Sequence, residues 1–317
     1  MTGQTFKVAH TATLLPYLLE ILPGQSRTSV KNLLSKGQVL VNGEGLTAFN
    51  HPLKAGDSLT ILPKGVSIAR STRKDAREQV TKAGVKILFE DEHYLVVDKP
   101  SGMLTVATGK EKDTLYALLN AYVKVNARMQ RKEDLIAGRE PDRSTAKVWI
   151  VHRIDRGTSG VLVFAKDERA KDILQSKWKD LVAERKYVAW LEGSLERDRG
   201  AIQTWLLENP KSLKMMSFPN EVKDGQLAIT HYRVLSRSRR YTQVEFSLET
   251  GRKNQIRVHA AELGHPIAGD DKYGAETNPV KRLALHAATL VFRHPFTGKT
   301  VRCASPLPEC FERFLKY

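Results

Sequence analysis

The amino-acid sequence predicts an α+β fold, with a mixed, largely antiparallel sheet domain preceded by a small N-terminal α/β domain. Three features point that way. From Val85 onward, short strand-like apolar runs outnumber helical patterns, some joined by tight links and others by helices. Before residue 65, two short helical patterns are followed by strands. No GxGxxG or GxxxxGK[ST] loop occurs, which removes dinucleotide-binding and P-loop folds. A chain of 317 residues has room for two such domains.

Within the first domain, residues 1–65, Leu14, Leu15, Leu18 and Leu19 recur at helical spacing until Pro23-Gly24 ends the segment. Ser26 or Thr28 can cap a second helix. Its apolar face is Val30, Leu33 and Leu34, and Gly37 stands where a left-handed terminal residue is wanted. Gln38 to Val41 then reads as a strand closed by Asn42-Gly43, a strong two-residue hairpin signal, and Asp57 to Leu62 completes a small sheet. Residues 66–83 carry charge and little apolar periodicity, so they read as a basic linker, helical in part.

In the second domain, residues 84–317, strands are expected at Val85 to Phe89, Tyr94 to Val97, Val148 to Val151, Gly160 to Phe164, Tyr187 to Leu191, Tyr241 to Leu248 and Ala284 to Phe292. Helices are expected at Thr114 to Val125, Glu168 to Leu181, Asn254 to Leu263 and Glu309 to Leu315. Residues 126–147, with Arg128, Arg131, Lys132, Arg139 and Arg143, read as a solvated surface insertion.

Charge narrows the partner. Lys and Arg number 51 against 35 Asp and Glu, a net +16. The excess is spread along the chain, with six basic and three acidic residues over 1–65, five and two over 66–83, and forty and thirty beyond. A protein that follows a phosphate backbone over a long path needs such a spread, and a solubilising surface charge is the other reading of it. The two cysteines, Cys303 and Cys310, form no CxxC pair and lie in no zinc pattern, so they read as buried thiols of a reducing compartment. The apolar stretch Leu14 to Leu22 is broken by Pro16 and Glu20 and is too short to cross a bilayer. The expectation is a cytoplasmic, monomeric protein with no membrane attachment.

The densest cluster of reactive residue types is HRIDRGTSG, His152 to Gly160, held between two strand-like runs. Asp155 sits at its centre between Arg153 and Arg156, and a nearby cation favours the ionised form of a carboxylate. Gly157 and Gly160 let the backbone turn after it.

That loop resembles the signature of the RluA-type pseudouridine synthases, whose central Asp is catalytic. ILFEDEHYLVVDKPSGMLT resembles the start of the family's catalytic domain, and RKYVAWLEG the segment with its active-site Tyr, here Tyr187. ETGRKNQIRVH resembles the segment with its pocket Arg, here Arg257; many relatives have His where this chain has Asn254. GDDKYG and LHAATLVFRHPFTGK resemble two further family segments. At the N-terminus, SRTSVKNLLSKGQVLVNGE resembles the RNA-binding domain first known from a small-subunit ribosomal protein, the alpha-L motif, which implies RNA contacts at Arg27, Lys31, Lys36 and Asn42.

The resemblance implies isomerisation of uridine in structured RNA without a cofactor: the bond from C1′ to N1 breaks and the same base is rejoined through C5. Asp155 can attack C1′, attack the base, or remove a sugar proton, and the sequence does not choose among these routes. Arg257 would hold Asp155 and stabilise negative charge on the detached base, and Tyr187 would stack on it. Arg153 would fill the space vacated by the flipped uridine, although its spacing equally suits a second cation for Asp155. Ribosomal RNA of the large subunit is the favoured substrate and transfer RNA the other candidate. A metal-dependent hydrolase using His152, Asp155, His259, His265, His286 and His294 lacks HExxH or a carboxylate cluster. A non-enzymatic RNA-binding or ribosome-assembly protein shares the charge but gives Asp155 no role.

Overall fold

Why the N-terminal residues fold as they do is visible in the computed structural model, which describes residues 4–62, 73–107, 109, 111, 113–142 and 144–316. Leu14 and Leu18 of helix α1 (Leu14–Ile21) and Val30 and Leu34 of α2 (Arg27–Ser35) are buried against Val39, Val41 and Leu59. Those three belong to β3 (Val39–Val41) and β6 (Ser58–Ile61), the middle strands of an antiparallel sheet completed by β1 (Gln4–Lys7) and β4 (Glu44–Gly45), in the order β1-β6-β3-β4. A separate ribbon pairs β2 (Ala12–Thr13) with β5 (Pro52–Leu53). The cap of α2 is Ser26, whose hydroxyl accepts from the Ser29 N–H at 3.1 Å. Asn42 and Gly43 take φ of 50° and 83°, as a tight hairpin turn between twisted strands requires.

The chain divides into two compact units, Met1–Gln79 with Ala121–Ala146, and Val80–Asn120 with Lys147–Tyr317. Residues 66–72 of the expected linker lie outside the described residues. Its remainder is helix α3 (Arg73–Lys82), which buries Ala76 and Val80. The expected helix at 114–125 runs further, as α4 (Leu115–Ile136), so the supposed insertion is helical for its first half. The charged residues there hide the apolar period but are good helix formers, and Gln130 bonds Asp134 one turn on at 3.1 Å. Arg143 lies outside the described residues.

The second unit is built on one large sheet. Its strands are β7 (Lys86–Glu90), β8 (Tyr94–Lys99), β9 (Trp149–Ile150), β10 (Ser159–Ala165), β11 (Val182–Glu192), β12 (Arg199–Glu208), β13 (Met215–Phe218), β14 (Gln226–Arg237), β15 (Tyr241–Leu248), β16 (Leu285–Arg293) and β17 (Thr300–Ala304). The order is β13-β12-β14-β15-β11-β16-β10-β8-β7, with β17 beside β16 and β9 beside β10. Every pair is antiparallel except β10 with β16, so the sheet is mixed and largely antiparallel, as expected. At that parallel contact Gly160 has φ of 111° and a Cβ would lie 2.1 Å from the Ala287 carbonyl oxygen, so only glycine fits. Helices α5 (Glu168–Ser176) and α6 (Trp178–Leu181) replace the single helix expected at 168–181, and α7 (Gln255–Glu262) follows β15.

Apolar clusters hold the sheet. One gathers Trp190, Phe246, Phe311 and Phe314, with Trp190 stacked on Phe314 at 5.0 Å between centroids. Another gathers Tyr94, Val163, Leu174 and Phe292. Strands β12, β13, β14 and β17 had no counterpart among the expected elements. Along β14 buried and exposed residues alternate through polar side chains such as Thr230, His231 and Arg233, which dilutes the apolar signal.

Candidate active site

Asp155 lies in the loop between β9 and β10, and that loop is tied down from one side by residues 99–105. Lys99, wholly buried at the end of β8, donates from Nζ to the carbonyls of Pro100 (3.0 Å), Met103 (2.8 Å) and Arg156 (3.2 Å). Burial and then Arg282 pull its ammonium down to about 7, while Asp155 and Asp98 push the other way. Ser101 donates to the Gly157 carbonyl at 2.7 Å, Thr105 to that of Ile154 at 2.9 Å, and the Gly102 N–H to that of Arg156 at 2.8 Å. The carbonyls on both sides of Asp155 are thus fixed, which places its side chain.

From the other side comes the start of α7. The Asn254 amide donates from Nδ2 to Asp155 Oδ2 at 2.6 Å, and Arg257 Nη1 reaches the same oxygen at 3.3 Å. Arg257 is itself gripped by Asp270, which accepts from Nε at 2.7 Å and Nη2 at 2.6 Å and whose side chain is 0% exposed. Burial opposes the charge on Arg257, but Asp270 and Asp155 outweigh it and hold the guanidinium protonated more firmly than usual. Gln255 anchors the helix start, donating to the Ile229 carbonyl at 3.0 Å and Thr230 Oγ1 at 2.8 Å and accepting from the Arg252 N–H at 2.9 Å.

Tyr187 faces the same space from β11, where the pairing with β16 shifts register between Lys186 and Tyr187. Such a bulge re-aims a side chain. Burial pushes its phenol up, Arg185 pulls it down and Asp155 pushes it up again, so the hydroxyl stays protonated at neutral pH. Arg153, Asp155, Tyr187, Asn254 and Arg257 line a cavity of about 60 Å³. It adjoins two larger hollows of about 580 Å³ and 380 Å³, and Arg153 and Arg252 line all three.

The structure therefore brings Asp155, Tyr187, Arg257 and Arg153 together. Arg153 is exposed, and the cation on Asp155 is Arg257; Arg156 turns to the Gly102 carbonyl at 2.9 Å. Of the cations expected near Asp155, Arg257 makes the contact and neither flanking arginine does. Arg27, Lys31 and Lys36 are exposed on or just after α2, with Lys31 Nζ 5.8 Å from the ring centre of exposed Phe49. Asn42 differs, because its amide bonds Asp57 Oδ1 and the Ser58 N–H, each at 2.9 Å, and so serves the fold.

Each histidine considered for a metal has a local partner. His259 sits between Thr204 (3.0 Å) and Thr230 (2.8 Å), with burial pushing it down to about 4. His286 meets Ser159 at 2.8 Å, His265 the Glu192 carbonyl at 2.7 Å, and His294 Asp91 at 2.8 Å. His152 accepts the Val163 N–H at 3.3 Å, and burial, with Arg185, pushes it down to about 3. Among the described residues no group of three or more His, Cys, Asp or Glu is placed to hold a metal ion, and no helix is long and apolar enough to cross a membrane.

Sequence reasoning missed Lys99, Asp270 and Tyr273, and it noted Asn254 only as a departure. One signal was available: Lys99 ends the otherwise apolar run YLVV-D-K, where a charged side chain needs internal acceptors. Asp270 and Tyr273 lie in GDDKYG, whose two adjacent carboxylates the sequence does not rank.

A mostly antiparallel sheet whose loops converge on one charged cavity, with a carboxylate set between an arginine and an amide, is the arrangement of an enzyme. Residues 93–262 match the family described as RNA pseudouridylate synthase. The chain is 37% identical over 286 residues to the uncharacterized RNA pseudouridine synthase YlyB of Bacillus subtilis, covering 90% of this chain and 86% of the relative. It is 33% identical over 313 residues to ribosomal large subunit pseudouridine synthase D of Xanthomonas campestris pv. campestris, covering 94% and 86%. Human RNA pseudouridylate synthase domain containing 4 shares the fold, with a TM-score of 0.56 at 23% identity over 77% of this chain and 95% of that one. The chain belongs to the RNA pseudouridylate synthase family and is an RNA pseudouridine synthase. The reading as a purely binding protein is thereby set aside.

Proposed function

We propose that this enzyme converts uridine to pseudouridine in large-subunit ribosomal RNA, with Asp155 as the catalytic carboxylate. The observation that carries the reading is the convergence on one cavity of Asp155, Tyr187 and an Arg257 clamped by buried Asp270. The relatives named for the ribosomal large subunit support the choice of RNA. The reaction breaks the C1′–N1 bond, joins C5 to C1′, removes the C5 proton and returns a proton to N1, so nothing is oxidised and no phosphate is spent. Attack at C1′, attack on the base and removal of a sugar proton all begin from a carboxylate fixed on one oxygen and open on the other. Asp155 meets that need, since both its contacts fall on Oδ2. Arg257, fixed and desolvated, would stabilise negative charge on the detached uracil, and the neutral Tyr187 would stack on the base. Exposed Arg153 would occupy the gap left by the flipped nucleotide.

Purified enzyme incubated with a large-subunit RNA transcript should form pseudouridine at one or a few positions in EDTA without added nucleotide or redox partner. Conversion of transfer RNA alone would move the substrate, and a requirement for zinc or manganese would overturn the cofactor-free mechanism.

Residues 1–65 are proposed as an alpha-L type RNA-binding domain, joined by 66–83 to the catalytic residues 84–317. Arg27, Lys31, Lys36 and Phe49 form an exposed basic and aromatic surface on it, of the kind that meets phosphates and bases. Reversing Arg27, Lys31 and Lys36 together to Glu should weaken RNA binding and flatten the slope of log affinity against log salt by about 2 to 3. The single-turnover rate at saturating RNA should stay unchanged. An unaltered salt slope would remove these residues from the RNA contact.

A further inference from the structure

We propose that Asn254 is a positioning residue for Asp155, and that it is the middle link of a hydrogen-bonded chain running from the β12–β13 hairpin through Tyr273 to the carboxylate. The proposal rests on the assignment of Asp155 as the catalytic group.

Asn254 caps α7 with φ of 54° and is 9% exposed. Asparagine is among the few residues that tolerate this left-handed conformation, and here it turns the amide back over the loop of Asp155. Both ends of the amide are engaged. Its Nδ2 donates to Asp155 Oδ2 at 2.6 Å, and its Oδ1 lies 3.2 Å from the Tyr273 hydroxyl. The Met215 N–H, at the start of β13, donates to that same hydroxyl at 3.0 Å. A backbone N–H can only donate, so the Tyr273 oxygen accepts there and its proton is free for Asn254 Oδ1. The amide is then oriented from outside: Oδ1 faces a hydroxyl proton and Nδ2 faces the carboxylate, whereas a flipped amide would set oxygen against oxygen.

Two donors meet Asp155 Oδ2, and they differ. Arg257 approaches at 3.3 Å while making its shorter bonds to Asp270. Asn254 approaches at 2.6 Å with nothing else for Nδ2 to serve among the described residues. The amide makes the shorter contact and does not share its donor, so it sets the carboxylate's rotation and leaves Oδ1 for the substrate. Arg257 supplies the charge, and Asn254 supplies the aim.

The test uses the full-length enzyme with four changes. Asn254→Gly removes the amide yet keeps a backbone that accepts positive φ. Asn254→Asp keeps the shape but replaces the donor by a repelling oxygen. Tyr273→Phe removes the hydroxyl and keeps the ring whose centre lies 5.0 Å from the Arg257 guanidinium carbon. The fourth combines Asn254→Gly with Tyr273→Phe. Single-turnover rate, RNA affinity and melting temperature are measured for each. The expected result is a rate lowered about 10- to 100-fold by Asn254→Gly with RNA affinity and melting temperature kept, and at least as much by Asn254→Asp, where the second carboxylate beside Asp155 lowers the melting temperature too. Tyr273→Phe should give a smaller loss, and the double variant should be no slower than Asn254→Gly alone, because both act through one contact. A parental rate in Asn254→Gly, an additive double variant, or losses of affinity and melting temperature in Asn254→Gly that match its loss of rate would each overturn the proposal. Conversion retained by Asp155→Asn would instead sink the assignment on which it rests.

Discussion

Asp155→Asn should stop uridine isomerisation, lowering the single-turnover rate by roughly 10⁴-fold or more, the scale on which loss of an essential catalytic group acts. The fold should survive, because Asp155 is half-exposed and among the described residues its carboxylate bonds Asn254 and Arg257 alone. Asparagine fills the same volume but is a poor nucleophile and a poor base, so every route from a carboxylate is closed together. RNA affinity should hold or rise slightly, since a negative charge has left a surface that meets phosphates. The decisive measurement is quench-flow or gel-based single turnover with enzyme in excess, paired with filter binding of the same RNA. A rate within roughly tenfold of the parent would leave less than about 1.4 kcal/mol to assign to Asp155 and would sink the assignment.

How much of this centre can be read from the sequence depends on the distance over which each contact is made. Asp155, Tyr187 and Arg257 were reached through segments that resemble those of a known family, and all three line one cavity. The HRIDRGTSG loop announces a rigid turn, and the structure adds why it is rigid: Lys99, Ser101, Gly102 and Thr105 bond its carbonyls from fifty or so residues earlier. Local order could not supply that link. For the cation on Asp155 the neighbours in sequence suggested Arg153 or Arg156, whereas the resemblance implied Arg257, which is the residue in contact. In the fold, α1 and α2 were legible because apolar residues recur at helical spacing, and β10, β15 and β16 because short apolar runs stand apart from their polar surroundings. Helix α4 beyond Val125 and strand β14 were not, since charged or polar side chains occupy positions that packing, rather than propensity, decides.

The clamp on Arg257 gives the largest expected effect on stability. In Asp270→Asn an amide replaces a carboxylate that is 0% exposed and accepts two hydrogen bonds from a guanidinium only 14% exposed. The new NH₂ group must face a donor it cannot satisfy, and the 3.3 Å contact to Asp155 is left as the ionic partner of the buried cation. Removing one partner of a buried ion pair costs about 3–5 kcal/mol, which for a domain of this size is a fall in melting temperature on the order of 10 °C. The rate should fall as well, by about 10²- to 10³-fold, because an unclamped Arg257 no longer sits where charge develops. Structure and chemistry are separated by the double variant Arg257→Met/Asp270→Leu. Replacing both charges by apolar side chains removes the unpaired ion, so much of the lost stability should return while the rate stays as low as in Arg257→Met alone. Differential scanning calorimetry and single-turnover kinetics on the two single variants and the double one read both effects. If Asp270→Asn melts with the parent and retains its rate, the clamp does not hold Arg257, and the charge opposite Asp155 must be fixed by the packing of α7 instead.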